Sequence, residues 1–169
     1  MKIAITGHTK GIGKSLYDTL SLSHTVKGYS KSKGYDITKK THRSWILKEV
    51  NEYDVFINNA YDDFAQSSML YELWTDWHTK EKTIITIGSD VTLYDLPLDM
   101  KDLLQYQMHK KSLKILHEDL QNLNTNVKME YVSFGYVGTE QILAKQPPIP
   151  KEEIIPVNDA VKIILERIR

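Results

Sequence analysis

The sequence predicts an α/β fold, a doubly wound parallel sheet with helices on both faces. Three observations carry this. Short strand-like runs alternate with helical stretches along the whole chain. Each run is nearly all apolar, as strands covered on both faces are. The first run also passes directly into a glycine-rich turn that opens a helix, Thr6-Gly7-His8-Thr9-Lys10-Gly11-Ile12-Gly13. Right-handed crossovers then wind the sheet both ways.

The elements follow in order. Residues 2–6 form a buried strand, and a helix covers about 11–22. Residues 25–30 make a second, weaker strand, followed by a Lys33-Gly34 turn. Residues 41–50 are helical, with Trp45, Ile46 and Val50 on neighbouring turns. Residues 54–58 are a compact apolar strand, and 64–78 a helix that packs through Leu70, Leu73, Trp74 and Trp77. The β-branched run at 83–88 is a strong strand. A long helix spans 100–123, with Leu113, Leu116, Leu120 and Leu123 at helical spacing. Residues 127–133 are the next strand. Asn158 is placed to cap a last helix whose stripe is Val161, Ile164, Leu165 and Ile168. The result is a three-layer, Rossmann-type domain over residues 1–169. It has no internal repeat, and its Pro-rich stretch at 146–150 reads as a stiff loop.

Composition narrows the function. The chain has 169 residues, 41% hydrophobic and 26% charged, which suits one domain with one core. Lys+Arg and Asp+Glu are both 22, so nothing favours nucleic acid or a membrane surface as partner. Cysteine is absent, which removes disulfides and thiolate metal sites. No apolar run has membrane-spanning length, and a strand rather than a signal peptide opens the chain. A cytoplasmic protein is expected.

The glycine turn has the placement that phosphate binding needs. Glycines let the backbone approach a pyrophosphate, and the helix N-terminus offers N–H groups and positive potential. Its spacing, Thr-Gly-x-x-x-Gly-x-Gly, resembles the cofactor loop of the short-chain dehydrogenases/reductases. Four further segments resemble that family, in order. They are Asn58-Asn59-Ala60, then Ile85-Thr86-Ile87-Gly88-Ser89, then Tyr106-Gln107-Met108-His109-Lys110, and the run from Val127 through Gly135, Val137 and Thr139. The resemblance covers nearly the whole chain.

The resemblance implies a nicotinamide cofactor held by Gly7, Thr9, Lys10, Gly11, Ile12, Gly13, Ser30, Lys31, Asp36, Asn59, Ala60, Lys110, Gly135, Val137 and Thr139. NADP(H) is favoured over NAD(H). An acidic residue after the second strand would bind the ribose of NAD. Here Ser30-Lys31-Ser32 stands there, and Lys10 resembles the basic residue of NADP-preferring members. Asp36 is either the family aspartate near the adenine or a turn residue.

The implied chemistry interconverts a small-molecule carbonyl and an alcohol. Tyr106 and Lys110 are four apart and share a helix face. The ammonium is expected to lower the phenol's pKa, which makes Tyr106 an acid/base group. Ser89 would hold the substrate oxygen. His8, His109 and His117 read as turn and helix residues, Asp62-Asp63 as a helix start, and no metal site is expected.

The chain departs from the family in several places. No asparagine lies between Ala60 and Ser89 to complete the usual proton relay, and Gln66 is the nearest polar substitute. Phe134 replaces a proline, which would loosen the nicotinamide wall. Tyr61 stands where the family has glycine. The last strand is missing, and a minimal substrate loop of about 140–153 remains. Such a site would be open to a bulky or tethered substrate. Family members often pair through the helix before Ser89 and the Tyr-x-x-x-Lys helix, so a homodimer stays open. Two other functions also stay open. One is a catalytically weak NADP(H)-binding sensor or partner-binding protein, and the other a nucleotide-sugar reductase or epimerase.

Overall fold

The computed structural model describes residues 1–145 and 149–168. Strands β1 (Lys2–Thr6), β2 (Thr25–Tyr29), β3 (Val55–Asn58), β4 (Thr83–Ile87) and β5 (Lys128–Val132) pair in the order β2-β1-β3-β4-β5. Every pair is parallel. The chain leaves β1 towards one side for β2 and towards the other for β3. That reversal opens a crevice at the carboxyl ends of the strands, where open α/β sheets take their ligands.

Helices α1 (Gly11–Leu20), α2 (Lys40–Val50), α3 (Ala65–Trp77), α4 (Lys101–Gln121), α5 (Glu140–Leu143) and α6 (Val157–Leu165) complete the layers, with a small parallel pair of β6 (Tyr136–Val137) and β7 (Ile154–Ile155). Side chains alternate across each strand, so one strand feeds two cores. Ile3, Ile5, Ile57 and Ile85 pack with Leu16 and Leu20 of α1 and Val161 and Ile164 of α6. Ala4, Phe56 and Ile84 pack on the opposite face with Ile46, Met69, Leu73, Trp77 and Leu113. These strands are apolar throughout because both faces are covered, which is why the sequence reads as runs rather than as alternation.

The predicted elements appear within a residue or two of their expected bounds, with three differences. The last helix begins at Val157 with Pro156 as its N-cap, so Asn158 lies inside the first turn and caps nothing. Proline serves there because its missing N–H is one that a helix start leaves unpaired. Leu123 falls beyond α4 and is exposed. The β6–β7 pair was not foreseen, because two-residue strands leave no periodicity. The Pro-rich stretch falls partly on residues 146–148, outside the described residues.

The link from β2 to α2 is short, a 3₁₀ turn at Lys31–Lys33 and a bend at Asp36. It is fixed by buried Arg43, whose guanidinium meets Glu72 of α3 through two parallel bonds of 3.0 and 2.8 Å. Arg43 also donates to the Ile37 carbonyl at 2.8 Å. The planar fork of arginine suits this task, and lysine would not replace it. Among the described residues, no strand follows α6 and no helix is long and apolar enough to cross a membrane.

Candidate active site

The glycine turn lies between β1 and α1 at the crevice. Gly7 and Gly11 have φ of +75° and +54°, left-handed values that side chains resist. Gly13 is required for a different reason. A Cβ there would collide with the Gly7 carbonyl and the Asn59 amide. Asn59 binds the turn in place, its Nδ2 donating to the Thr6 carbonyl at 3.0 Å. The backbone N–H groups of Asn59 and Ala60 both donate to Thr6 Oγ1 at 3.0 Å. Helix α1 has no side-chain cap and no acidic residue in its first turn. Its first N–H groups therefore keep their positive potential for an anion, and a closely approaching pyrophosphate fits this bare loop. Thr9 is half-buried in the turn, Lys10 is exposed at the N-cap, and Ile12 packs on the core under α1. Thr139 lies across the turn, its methyl 3.3 Å from where a Gly11 Cβ would stand. Val137 is buried beside it and Gly135 is exposed.

At the end of β2, Ser30 is buried and its hydroxyl lies 3.2 Å from that of Ser32. Lys31 is not a lone cation. Its Nζ lies 3.4 Å from both Asp36 and Asp62. Asp36 turns the chain, accepting from the Thr38 hydroxyl at 2.6 Å and the Thr38 N–H at 3.0 Å. Those bonds hold its carboxyl below the ordinary aspartate pKa, with Lys31 assisting. The turn reading of Asp36 is therefore the one its hydrogen bonds describe.

Ser89, Tyr106 and Lys110 meet at the carboxyl end of β4. Ser89 follows the strand, and its hydroxyl accepts from the Val91 N–H at 3.3 Å. The phenol of Tyr106 lies near enough to Ser89 for that side chain to act on its pKa. Burial raises the Tyr106 pKa, and the Ser89 contact offsets part of the rise. This corrects the expected lowering by Lys110. The ammonium lies against the ring, 5.8 Å from its centroid, and gives its hydrogen bonds elsewhere. Lys110 Nζ donates to Gln66 Oε1 at 2.7 Å and to the Ile87 carbonyl at 3.2 Å. Burial pulls its pKa down to about 8.

Gln66 does stand beside the lysine. Its Nε2 donates to the carbonyls of Asn58 and Ile87 at 2.8 and 2.9 Å, which leaves only the oxygen to face Lys110. Gln107 secures the next loop, donating to the Val91 and Tyr94 carbonyls at 2.7 and 2.6 Å. Behind β4, buried His117 meets Thr86 Oγ1 at 3.1 Å, and burial takes its pKa down to about 4. Tyr131 fills the space that Gly88 leaves empty, where a Cβ would strike its hydroxyl. Phe134 is buried in the core and its carbonyl accepts from Asp90 N–H at 2.9 Å.

The sequence marked Tyr61 as a departure near the expected path of the cofactor, but read His109 as an ordinary helix residue. Tyr61 meets the Tyr106 ring edge-on, and its hydroxyl pairs with His109 Nδ1 at 2.9 Å. The tyrosine in a glycine's place was the available signal. Among the described residues, no group of three or more His, Asp or Glu side chains is placed to hold a metal.

The fold recurs in solved structures. A short chain dehydrogenase from Burkholderia cenocepacia J2315, in complex with NADP, superimposes with a TM-score of 0.81 at 19% identity, covering 99% of this chain and 83% of that one. The chain has the short-chain dehydrogenase/reductase fold. The 3-alpha-hydroxysteroid dehydrogenase from Pseudomonas sp. B-0831, complexed with NADH, shares that fold with a TM-score of 0.74 at 16% identity, covering 98% and 88%. A small-chain dehydrogenase in complex with NADPH does so at 0.73 and 14%, covering 100% and 91%. No family model and no curated protein matches the sequence.

Proposed function

We propose that this protein is an NADP(H)-dependent oxidoreductase of the short-chain dehydrogenase/reductase family that interconverts a carbonyl and an alcohol. One observation carries the reading. Ser89, Tyr106 and a buried Lys110 converge at the strand ends, on the same rim as the bare glycine turn of α1. The neighbours of known structure that hold NADH, NADP or NADPH support a nicotinamide cofactor.

The bound nicotinamide would supply hydride exchange with the carbonyl carbon. The protein's part is to place and protonate the oxygen. Ser89 donates to it, and Tyr106 gives it the phenolic proton in reduction or takes the proton back in oxidation. A phenol whose pKa is raised by burial is fully protonated at neutral pH, so this site is set for donation. Lys110, fixed by Gln66 and Ile87, keeps positive potential beside the phenol and is the residue to hold the nicotinamide ribose. Lys10 and Ser30 are the groups best placed for a 2′-phosphate, since Lys31 already serves two carboxylates. The described residues 140–145 and 149–153 flank what would be the minimal substrate loop. Leu93, Tyr94 and Leu98, all exposed after Ser89, suit a bulky substrate at an open site. Exposed Met108 and Ile115 on α4 offer a homodimer face.

Titration with NADPH and NADH, beside a panel of carbonyl substrates, tests this. NADPH should bind more tightly. Tyr106→Phe should bind it equally well and lose about 100-fold or more in turnover. Failure of both dinucleotides to bind would remove the reading. The second reading, a cofactor-binding sensor with little turnover, is favoured by the Tyr61 ring lying over the pair. Binding without turnover on any substrate would establish it.

A further inference from the structure

Lys110 has three N–H donors, and two are spent on Gln66 and Ile87. The remaining open side of the ammonium is covered by an aromatic ring. Tyr61 lies with its ring centroid 5.2 Å from Lys110 Nζ. The same ring stands edge-on to Tyr106, centroids 4.9 Å apart at 83°. It is anchored from behind. Its hydroxyl pairs with Nδ1 of His109, which is 5% exposed and braced by the Phe64 ring at 4.3 Å. Asp63 Oδ1 lies 3.7 Å from the same nitrogen.

Tyr61 is also placed to move. The residue is 41% exposed, so solvent reaches it. Ala60 before it is fastened to Thr6, while Asp63 after it has φ of +46°, a value costly for a side chain other than glycine. A fixed point and a strained residue bracket the tyrosine.

We infer that Tyr61 is a gate on the dinucleotide site. Its ring lies beside Lys110 on a side that Gln66 and Ile87 do not occupy, so a ribose reaching for the ammonium there would displace the ring and break the Tyr61–His109 bond. This rests on the dinucleotide reading above. The gate makes Tyr61 an affinity-setting residue, not a catalytic one.

The test measures NADPH dissociation constants by fluorescence for the wild type, Tyr61→Gly and Tyr61→Phe, with thermal melts to confirm folding. Tyr61→Gly should bind about tenfold tighter, because no ring–cation contact or hydrogen bond opposes entry. Tyr61→Phe keeps the ring but loses the anchor, and should fall between. In a protein carrying 3-fluorotyrosine at position 61, the fluorine resonance should move to a solvent-exposed value on adding NADPH. Binding by Tyr61→Gly alone would also support the gate. Equal or weaker binding by both variants, with wild-type binding intact, overturns the gate alone. No binding by any of the three overturns the dinucleotide reading together with it.

Discussion

The Lys110 ammonium rests 2.7 Å from the Gln66 amide oxygen, and burial sets its pKa near about 8. The amide cannot turn over, because both its N–H groups are committed to carbonyls. Gln66→Leu would leave an ammonium and two carbonyls short of partners inside the protein. We expect it to lower stability by about 3 kcal/mol or more in urea unfolding. A loss below about 1 kcal/mol would show that Lys110 finds other acceptors.

Lys110 also gives stability an alkaline slope. Its folded pKa of about 8 lies below the ordinary 10.5. Between those values the unfolded chain keeps the proton and the folded chain releases it, so stability rises with pH. The gain should approach about 2 kcal/mol from pH 8 to pH 10. Above pH 10 buried tyrosines oppose it, since Tyr131 is pushed up to about 12 by burial and stays protonated when folded. Lys110→Met should remove the rise, as read from denaturation midpoints at each pH.

His117 acts at the acid end. Its folded pKa of about 4 lies below the ordinary 6.5. As pH falls through this window the unfolded chain takes up a proton that the folded chain refuses. Stability contributed by the neutral ring is therefore lost, by about 3 kcal/mol between pH 6.5 and 4. His117→Phe should flatten that limb. An unchanged acid limb would place the sensitivity elsewhere.

The fold was legible in the sequence because buried parallel strands and a glycine turn leave strong local marks. Ile84 and Ile85 point to opposite cores, yet both are apolar, so the run at 83–88 announced itself. The convergence of Ser89 with Tyr106 could be anticipated only from motif order. What stayed hidden depended on side-chain geometry across distant segments. Nothing local says that Lys110 turns to Gln66 and the Ile87 carbonyl, or that burial raises the pKa of Tyr106. Tyr61 was visible as an oddity, but its contacts with His109 and Lys110 come from packing of α4 against the loop before α3.

Self-association can be tested on the outer face of α4. Met108 and Ile115 are 63% and 59% exposed and stand one behind the other on the same helix face. If two copies pair there, Met108→Glu with Ile115→Glu should convert a dimer to a monomer in analytical ultracentrifugation. A wild type that sediments as a monomer at micromolar concentration would remove the pairing.

The strand order leaves β2 and β5 as outer strands, each with one row of backbone groups facing away from the sheet. Such borders invite edge-to-edge joining and aggregation. Lys27 on β2 and Lys128 and Glu130 on β5 put charge at both borders, and Lys27 and Glu130 are held by ion pairs to Glu49 and Arg167. Charged margins make a sheet unattractive to its own copies, so neutralising those few charges should harm solubility long before it harms the fold.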